Sequence, residues 1–410
     1  MRSRTLFAVL AVMIALALDA AGQEPVAIHT FACNSQQFQG GCPNGGAPQP
    51  IIQGSDGNFY GVAEVTAASS SGLRGGLVYS LTPAGTFRIL YQFFPGKKRN
   101  YPDGTTPLTL AEGPGGMLYG ATEFGGAGNM GTLFRLNKDG SGFQVLRSLC
   151  KHCENNQIKF GPWVLAGDGN FYGLAPGVKQ CIDDVPCGAI YRITPATGAD
   201  KFVVNFKSPA EYFPTSLLAG PDGTLYGTLT ADPSGTSQSQ LFHYDEVAGK
   251  LQTSALDVPI GGRATGAYRL ILGPNGNFYG LYDYYDGDYL YPTGLFEVQL
   301  DGSNLQVFPV IPNFAFAAGM AFGADGNIWM AQEGSGVQRE NPEYGAIVTV
   351  SPTDGSLIQT LDPFSPTSAA GGFPIGLISG SDGKLWGVSA EFGKASQGLF
   401  GAGVVFNLTP

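Results

Sequence analysis

The heptapeptide SDGNFYG at residues 55–61 returns six more times along the chain, as GGMLYG, GDGNFYG, PDGTLYG, PNGNFYG, ADGNIWM and SDGKLWG. Its aromatic falls at Tyr60, Tyr119, Tyr172, Tyr226, Tyr279, Trp329 and Trp386, at successive spacings of 59, 53, 54, 53, 50 and 57 residues. Length alone suggests two or three domains for 410 residues, but a sustained period of this size overrides that prior. Units of about fifty residues that cannot bury an apolar face alone must stack on one another.

Each unit carries a second element, seen in GLVYSLTP at 76–83, GTLFRLNKDG at 131–140, GAIYRITPATG at 188–198 and GVVFNLTP at 403–410. These are short alternating or β-branched runs closed by turn residues, which read as strands. A run such as PLTLAEG (107–113) precedes each heptapeptide, and one such as FRILYQF (87–93) follows each second element. With 62 glycines and only 13% charged residues, the composition suits a turn-rich β protein. The unit is therefore a four-stranded antiparallel meander, a propeller blade, and the fold class expected is an all-β, seven-bladed β-propeller.

Two details follow. Asp56-Gly57 and its counterparts are expected to be the hairpin turn between strands one and two. A calcium loop would need the carboxylate in every copy, and copies two and five lack it. The seventh copy stops after its third strand, and PVAIHTF at 25–31 matches the missing fourth. The N-terminal strand is thus expected to close the ring in the last blade.

The chain opens MRSRTLFAVLAVMIALALDAAGQEP. Arginines, an apolar run too short to span a bilayer, and small residues at 20–22 read as a secretory signal peptide at 1–22. The expected organisation is that leader followed by one propeller domain at 23–410, secreted or periplasmic, with no membrane span, as a monomer. A net charge of −10 argues against nucleic acid as a partner.

The combination of GNFYG, a Gly-rich loop as in TEFGGAGNMG, and GTLFRLN or GLVYSLTP resembles the GloVer tandem-repeat family of exported bacterial proteins, over nearly all of the chain beyond the leader. That resemblance implies repeats and export but no assigned activity. GADGNIWMAQ is also similar to repeats of virginiamycin B lyase-type propellers, which implies a histidine and magnesium. The three histidines here, His29, His152 and His243, lie at none of the second-strand exits.

Function is expected on the face that carries the long connections, between strands two and three and between blades. Carboxylates recur four residues after the repeat aromatic, at Glu64, Glu123, Asp283 and Glu333, with Glu391 one position further on. They could form a ring around the channel mouth that holds a cation, a sugar or a basic group, or an acid–base pair. The bland alternative is a set of loop-start carboxylates bonded to backbone N–H groups. In LYDYYDGDYLYP at 281–292, Tyr282, Tyr284 and Tyr285 interleave with acidic residues, as glycan or protein recognition would use them, or as a self-packed loop would. Cys33, Cys42, Cys150, Cys153, Cys181 and Cys187 fall in the long-loop regions. An even count in an exported chain points to disulfides, the simplest pairing being local.

The leading function is a binding or interaction module for carbohydrate or another cell-surface component, protein included. The alternative is a propeller enzyme, a polysaccharide lyase or hydrolase or a lactonase, using the carboxylates. A purely structural repeat is the third. No metal centre or cofactor is expected, beyond a divalent cation such as calcium at the carboxylates.

Overall fold

The computed structural model describes residues 24–32, 42–65, 67–69, 72–93, 101–149, 162–180, 186–206, 213–230, 239–258, 266–283, 293–311, 314, 317–334, 344–391 and 403–410. Seven four-stranded antiparallel sheets follow one another, with an added short strand in the first, whose loop carries a separate two-stranded pair, Ala67–Ser69 and Gly72–Arg74. Blade five is typical: Gly266–Leu272, Phe278–Asp283, Thr293–Val298 and Gln306–Val310. Blade seven is built from Gly372–Ser379, Leu385–Glu391 and Val404–Leu408, and its outer strand is the N-terminal Val26–Thr30. The ring closes as its sequence requires. Val26 pairs with Asn407 and Thr30 with Val404, and the Phe31 N–H donates to Gly403 O.

The repeat heptapeptide has a mechanical explanation. Gly57 N–H donates to Gly54 O, and Gly54 N–H to Asn58 O. Only the glycine has positive φ, at 82°, and Asp56 does not. The turn is therefore a three-residue loop ending in a left-handed glycine, one residue longer than the two-residue hairpin suggested by the Asp-Gly pair. The Asp56 carboxylate accepts bonds from the Asn58 backbone N–H (3.3 Å) and the Tyr60 hydroxyl (2.7 Å). Asp168 and Asp222 do the same for Tyr172 and Tyr226, and Asp325 and Asp382 accept from the indoles of Trp329 and Trp386. The aspartate stands four residues before the aromatic because it is the hydrogen-bond acceptor for an otherwise buried O–H or N–H. In blade five an asparagine replaces it. Asn275 Nδ2 donates to Tyr279 Oη, and Glu297 accepts from both Asn275 and Asn277.

The glycine after the aromatic is a packing device. Gly61, Gly120, Gly173, Gly227, Gly280 and Gly387 face Tyr79, Phe134, Tyr191, Phe242, Phe296 and Phe406 on strand three. Each ring lies over its glycine, so that a Cβ there would come within 2.2–2.4 Å of a ring atom or hydroxyl. Blade six makes the opposite exchange, pairing Met330 with Val348. These rings fill the interfaces between blades. Seven apolar clusters occupy the seven interfaces, for example Tyr60, Val78, Leu110 and Phe134 between blades one and two, and Phe31, Phe59, Trp386 and Val405 between seven and one. Burial of that apolar surface drives blade stacking.

Among the described residues no helix is long and apolar enough to cross a membrane. The expected leader at 1–22 lies outside the described residues. Cys42 is buried and disulfide-bonded. The side chains of the other five cysteines, and hence their pairing, lie outside the described residues.

Candidate functional site

The first strands line the central channel. Counting four residues back from the start of each turn gives seven equivalent positions: Pro50, Thr109, Pro162, Ser216, Arg269, Gly319 and Gly376. All seven line one or both of two cavities, of about 540 and 460 Å³, which share Pro162, Arg269 and Met320. Six of the seven side chains are small or cyclic. Space explains part of this, since a Cβ at Gly319 would lie 2.5 Å from Leu377 N, and one at Gly376 would lie 3.2 Å from Pro50 Cβ. The seventh side chain is an arginine.

The strand that carries Arg269 is irregular there. In blades two, four, six and seven the first strand carries its extra residue five positions before the turn, at Leu108, Thr215, Ala318 and Ile375. In blade five the irregularity is shifted toward the turn, between Tyr268 and Ile271, so that Arg269 and Leu270 together face Gly280. A bulge re-aims side chains. Arg269 has φ of 50°, a left-handed conformation that costs a non-glycine residue free energy and persists only where the surroundings impose it. Its Nε donates to Ala317 O of blade six at 2.5 Å. Protein encloses the guanidinium enough to lower its pKa by desolvation, while its surface remains open to the channel.

The larger cavity also contains Tyr268, Asp283 and Glu333, with Thr215 and Ser216 across from them. Asp283 ends the second strand of blade five. Its Oδ1 accepts bonds from the Tyr268 hydroxyl (2.9 Å) and the Thr293 hydroxyl (2.5 Å). Burial outweighs both bonds and raises its pKa to about 6. Burial, then the Asp283 charge, holds the Tyr268 phenol above its usual range. Glu333 is exposed and interacts electrostatically with Arg269. The site therefore offers a guanidinium donor, a carboxylic acid that titrates near neutrality, a carboxylate and a phenol, all facing one space.

The expected carboxylate ring is thus divided. Asp283 and Glu333 meet in this cavity. Glu64 and Glu123, at the ends of their second strands in blades one and two, form a separate pair. Glu64 accepts a bond from Gln49 Nε2 at 2.7 Å, and burial, then the Glu123 charge, raises its pKa to about 7. Glu391, opposite Gly372, lies off both cavities, and burial raises its pKa. Tyr282 is buried between blades four and five, where its hydroxyl donates to Phe308 O at 2.8 Å. Tyr284 and Tyr285 lie outside the described residues. Of the histidines, His29 stacks on Phe87 and His243 on Tyr226, both as packing partners.

Glu64 makes one pH prediction. Its folded pKa lies above the unfolded value, so its ionisation opposes folding. Stability is unaffected below about 4.5, falls as pH rises from there to about 7, and levels off above. Glu64→Gln keeps the bond from Gln49 and removes the charge. The variant should melt higher at pH 8, by roughly 1–2 kcal/mol after allowance for channel water, with no change at pH 4. Parallel melting curves at both pH values would show that Glu64 is not held this way.

Fold and channel define a seven-bladed propeller with one arginine set among small residues at its neck. The chain belongs to the Gloeobacter/Verrucomicrobia repeat family, whose model matches residues 27–242, just over half of it. No curated protein matches it in sequence. Solved structures match in fold. An oligogalacturonate lyase in complex with manganese has a TM-score of 0.54 at 12% identity, covering 95% of this chain and 98% of that one. A fungal alcohol oxidase in complex with copper has 0.58 at 12%, covering 95% and 76%. A protein from Lactobacillus plantarum has 0.50 at 15%, covering 82% and 96%. At these identities the likeness is one of fold alone.

Proposed function

We propose that the chain is an exported carbohydrate-binding propeller that takes its ligand in the channel cavity of blade five. Export rests on the leader at 1–22. The observation that carries the binding reading is the convergence of Tyr268, Arg269, Asp283 and Glu333 on one 540 Å³ space. Donors, acceptors and an aromatic edge in a concave site suit a hydroxyl-rich ring.

A second reading, an enzyme that cleaves a polysaccharide, is favoured by one observation. Asp283, raised to about 6 and bonded to Tyr268, has the properties of a proton donor or acceptor near neutral pH. Glu333 supplies a second carboxylate in the same cavity. The fold is shared with a lyase and an oxidase solved with manganese and copper. Among the described residues, however, no three His, Cys, Asp or Glu side chains form a metal-ligand group, and the cavity places a guanidinium beside its carboxylates.

Saturation-transfer NMR of the protein beginning at residue 23, against neutral and acidic oligosaccharides, tests the binding reading. Transfer to at least one sugar class is expected. Tyr268→Phe frees an Asp283 lone pair and should weaken that sugar's binding about tenfold or less, the scale of one hydrogen bond. Absence of transfer from every sugar would remove the reading. Appearance of shorter products during the titration would promote the second one.

A further inference from the structure

At the six positions equivalent to Arg269 the ring carries proline, threonine, serine or glycine. The bulge of blade five is displaced onto Arg269, which holds a positive φ of 50°. The Nε bond to Ala317 O fixes one edge of the guanidinium. Among the described residues Arg269 forms no ion pair, although the chain makes such pairs elsewhere, as between Lys138 and Glu112 at 2.8 Å. The guanidinium is open to the channel and feels the Glu333 charge without pairing to it, so its free N–H groups are available to an anion that arrives with a ligand.

Resting on the carbohydrate reading above, we infer that Arg269 makes this cavity selective for carboxylated sugars, uronic acids or oligomers of them, over their neutral counterparts. The planar guanidinium matches a planar carboxylate through two parallel N–H bonds. Asp283, Glu333 and Tyr268 then face the ring hydroxyls. Phosphorylated sugars fit less well. Glu333, and Asp283 once ionised, stand in the same cavity, and a doubly charged group would be repelled more strongly than a singly charged one.

The test is calorimetric titration of the wild-type protein with matched pairs, galacturonate against galactose and glucuronate against glucose, as monomers and short oligomers. The inference predicts about tenfold or greater preference for one acidic member. Arg269→Gln should bring that preference below about twofold, and Arg269→Lys should keep only part of it, since it retains charge without the fork. Ligand-free melting temperatures establish that the variants fold. If Arg269→Gln does not fold, the wild-type comparison and Arg269→Lys still decide. Equal affinity for acidic and neutral members would overturn the selectivity while leaving carbohydrate binding in place. Inorganic phosphate displacing uronate at equal concentration would overturn the choice of anion. No binding by any sugar would overturn both proposals together.

Discussion

Removal of residues 24–32 should abolish the cooperative fold. The truncation takes away the outer strand of blade seven and exposes the edge of Val404–Leu408. It also removes Phe31, fully buried between blades seven and one against Tyr79 and Phe87. Loss of a buried phenylalanine alone costs about 3–5 kcal/mol. The paired backbone and the stacking of His29 on Phe87 at 3.7 Å add to that. The sum approaches the whole stability of an ordinary domain, about 5–15 kcal/mol. A truncated chain with the melting temperature of the intact one would show that the ring holds without its closure. Restoration of the fold by the separate peptide 24–32 would show that pairing, rather than chain continuity, matters.

Gly227→Ala should be strongly destabilising. A Cβ at Gly227 would sit 2.0 Å from Ser216 O and 2.4 Å from Phe242 Cζ. A side-chain ring can tilt, but the Ser216 carbonyl belongs to the neighbouring strand and cannot move without disturbing it. Overpacking of this kind costs about 3 kcal/mol. Gly57→Ala is a useful contrast, since no atom lies within 4 Å of its Cβ and only the positive φ opposes it. Denaturant unfolding of both variants checks the ordering. A smaller loss for Gly227→Ala than for Gly57→Ala would contradict the packing account.

Period and strand chemistry make most of the fold legible from residues alone. Turn, strand and closure all leave repeating traces, and the closing strand is visible because one blade is short at one end of the chain and long at the other. The turn is less legible. An Asp-Gly pair does not say whether one or two residues take positive φ, and the bond from Tyr60 to Asp56 is a tertiary detail inside a local motif. The channel is the least legible part. Carboxylates four residues after the aromatic stand out in sequence, yet the ring they suggest divides into two pairs, because blades three and four carry Pro176 and Thr230 at that position and Glu391 of blade seven lies off both cavities. Tyr282 reads as a loop tyrosine but falls on the buried side of its strand, since alternation reverses which face a neighbour occupies.

Arg269 carries a signal that the repeats do contain. Aligned on their turns, the seven units show one arginine against proline, threonine, serine and glycine. Comparing each unit only with its own consensus hides it, because RLILGP looks like an ordinary strand with an exposed end. The shifted bulge at Arg269 depends on pairing between strands, which no single segment encodes.

The most direct measurement is a crystal structure of the protein with its best-binding oligosaccharide. The account predicts sugar density in the blade-five cavity, with polar contacts to Arg269 and to at least one of Tyr268, Asp283 and Glu333. Density at another place, such as the cleft of about 270 Å³ lined by Tyr226, His243 and Asp301, with the channel cavity filled only by solvent, would contradict it.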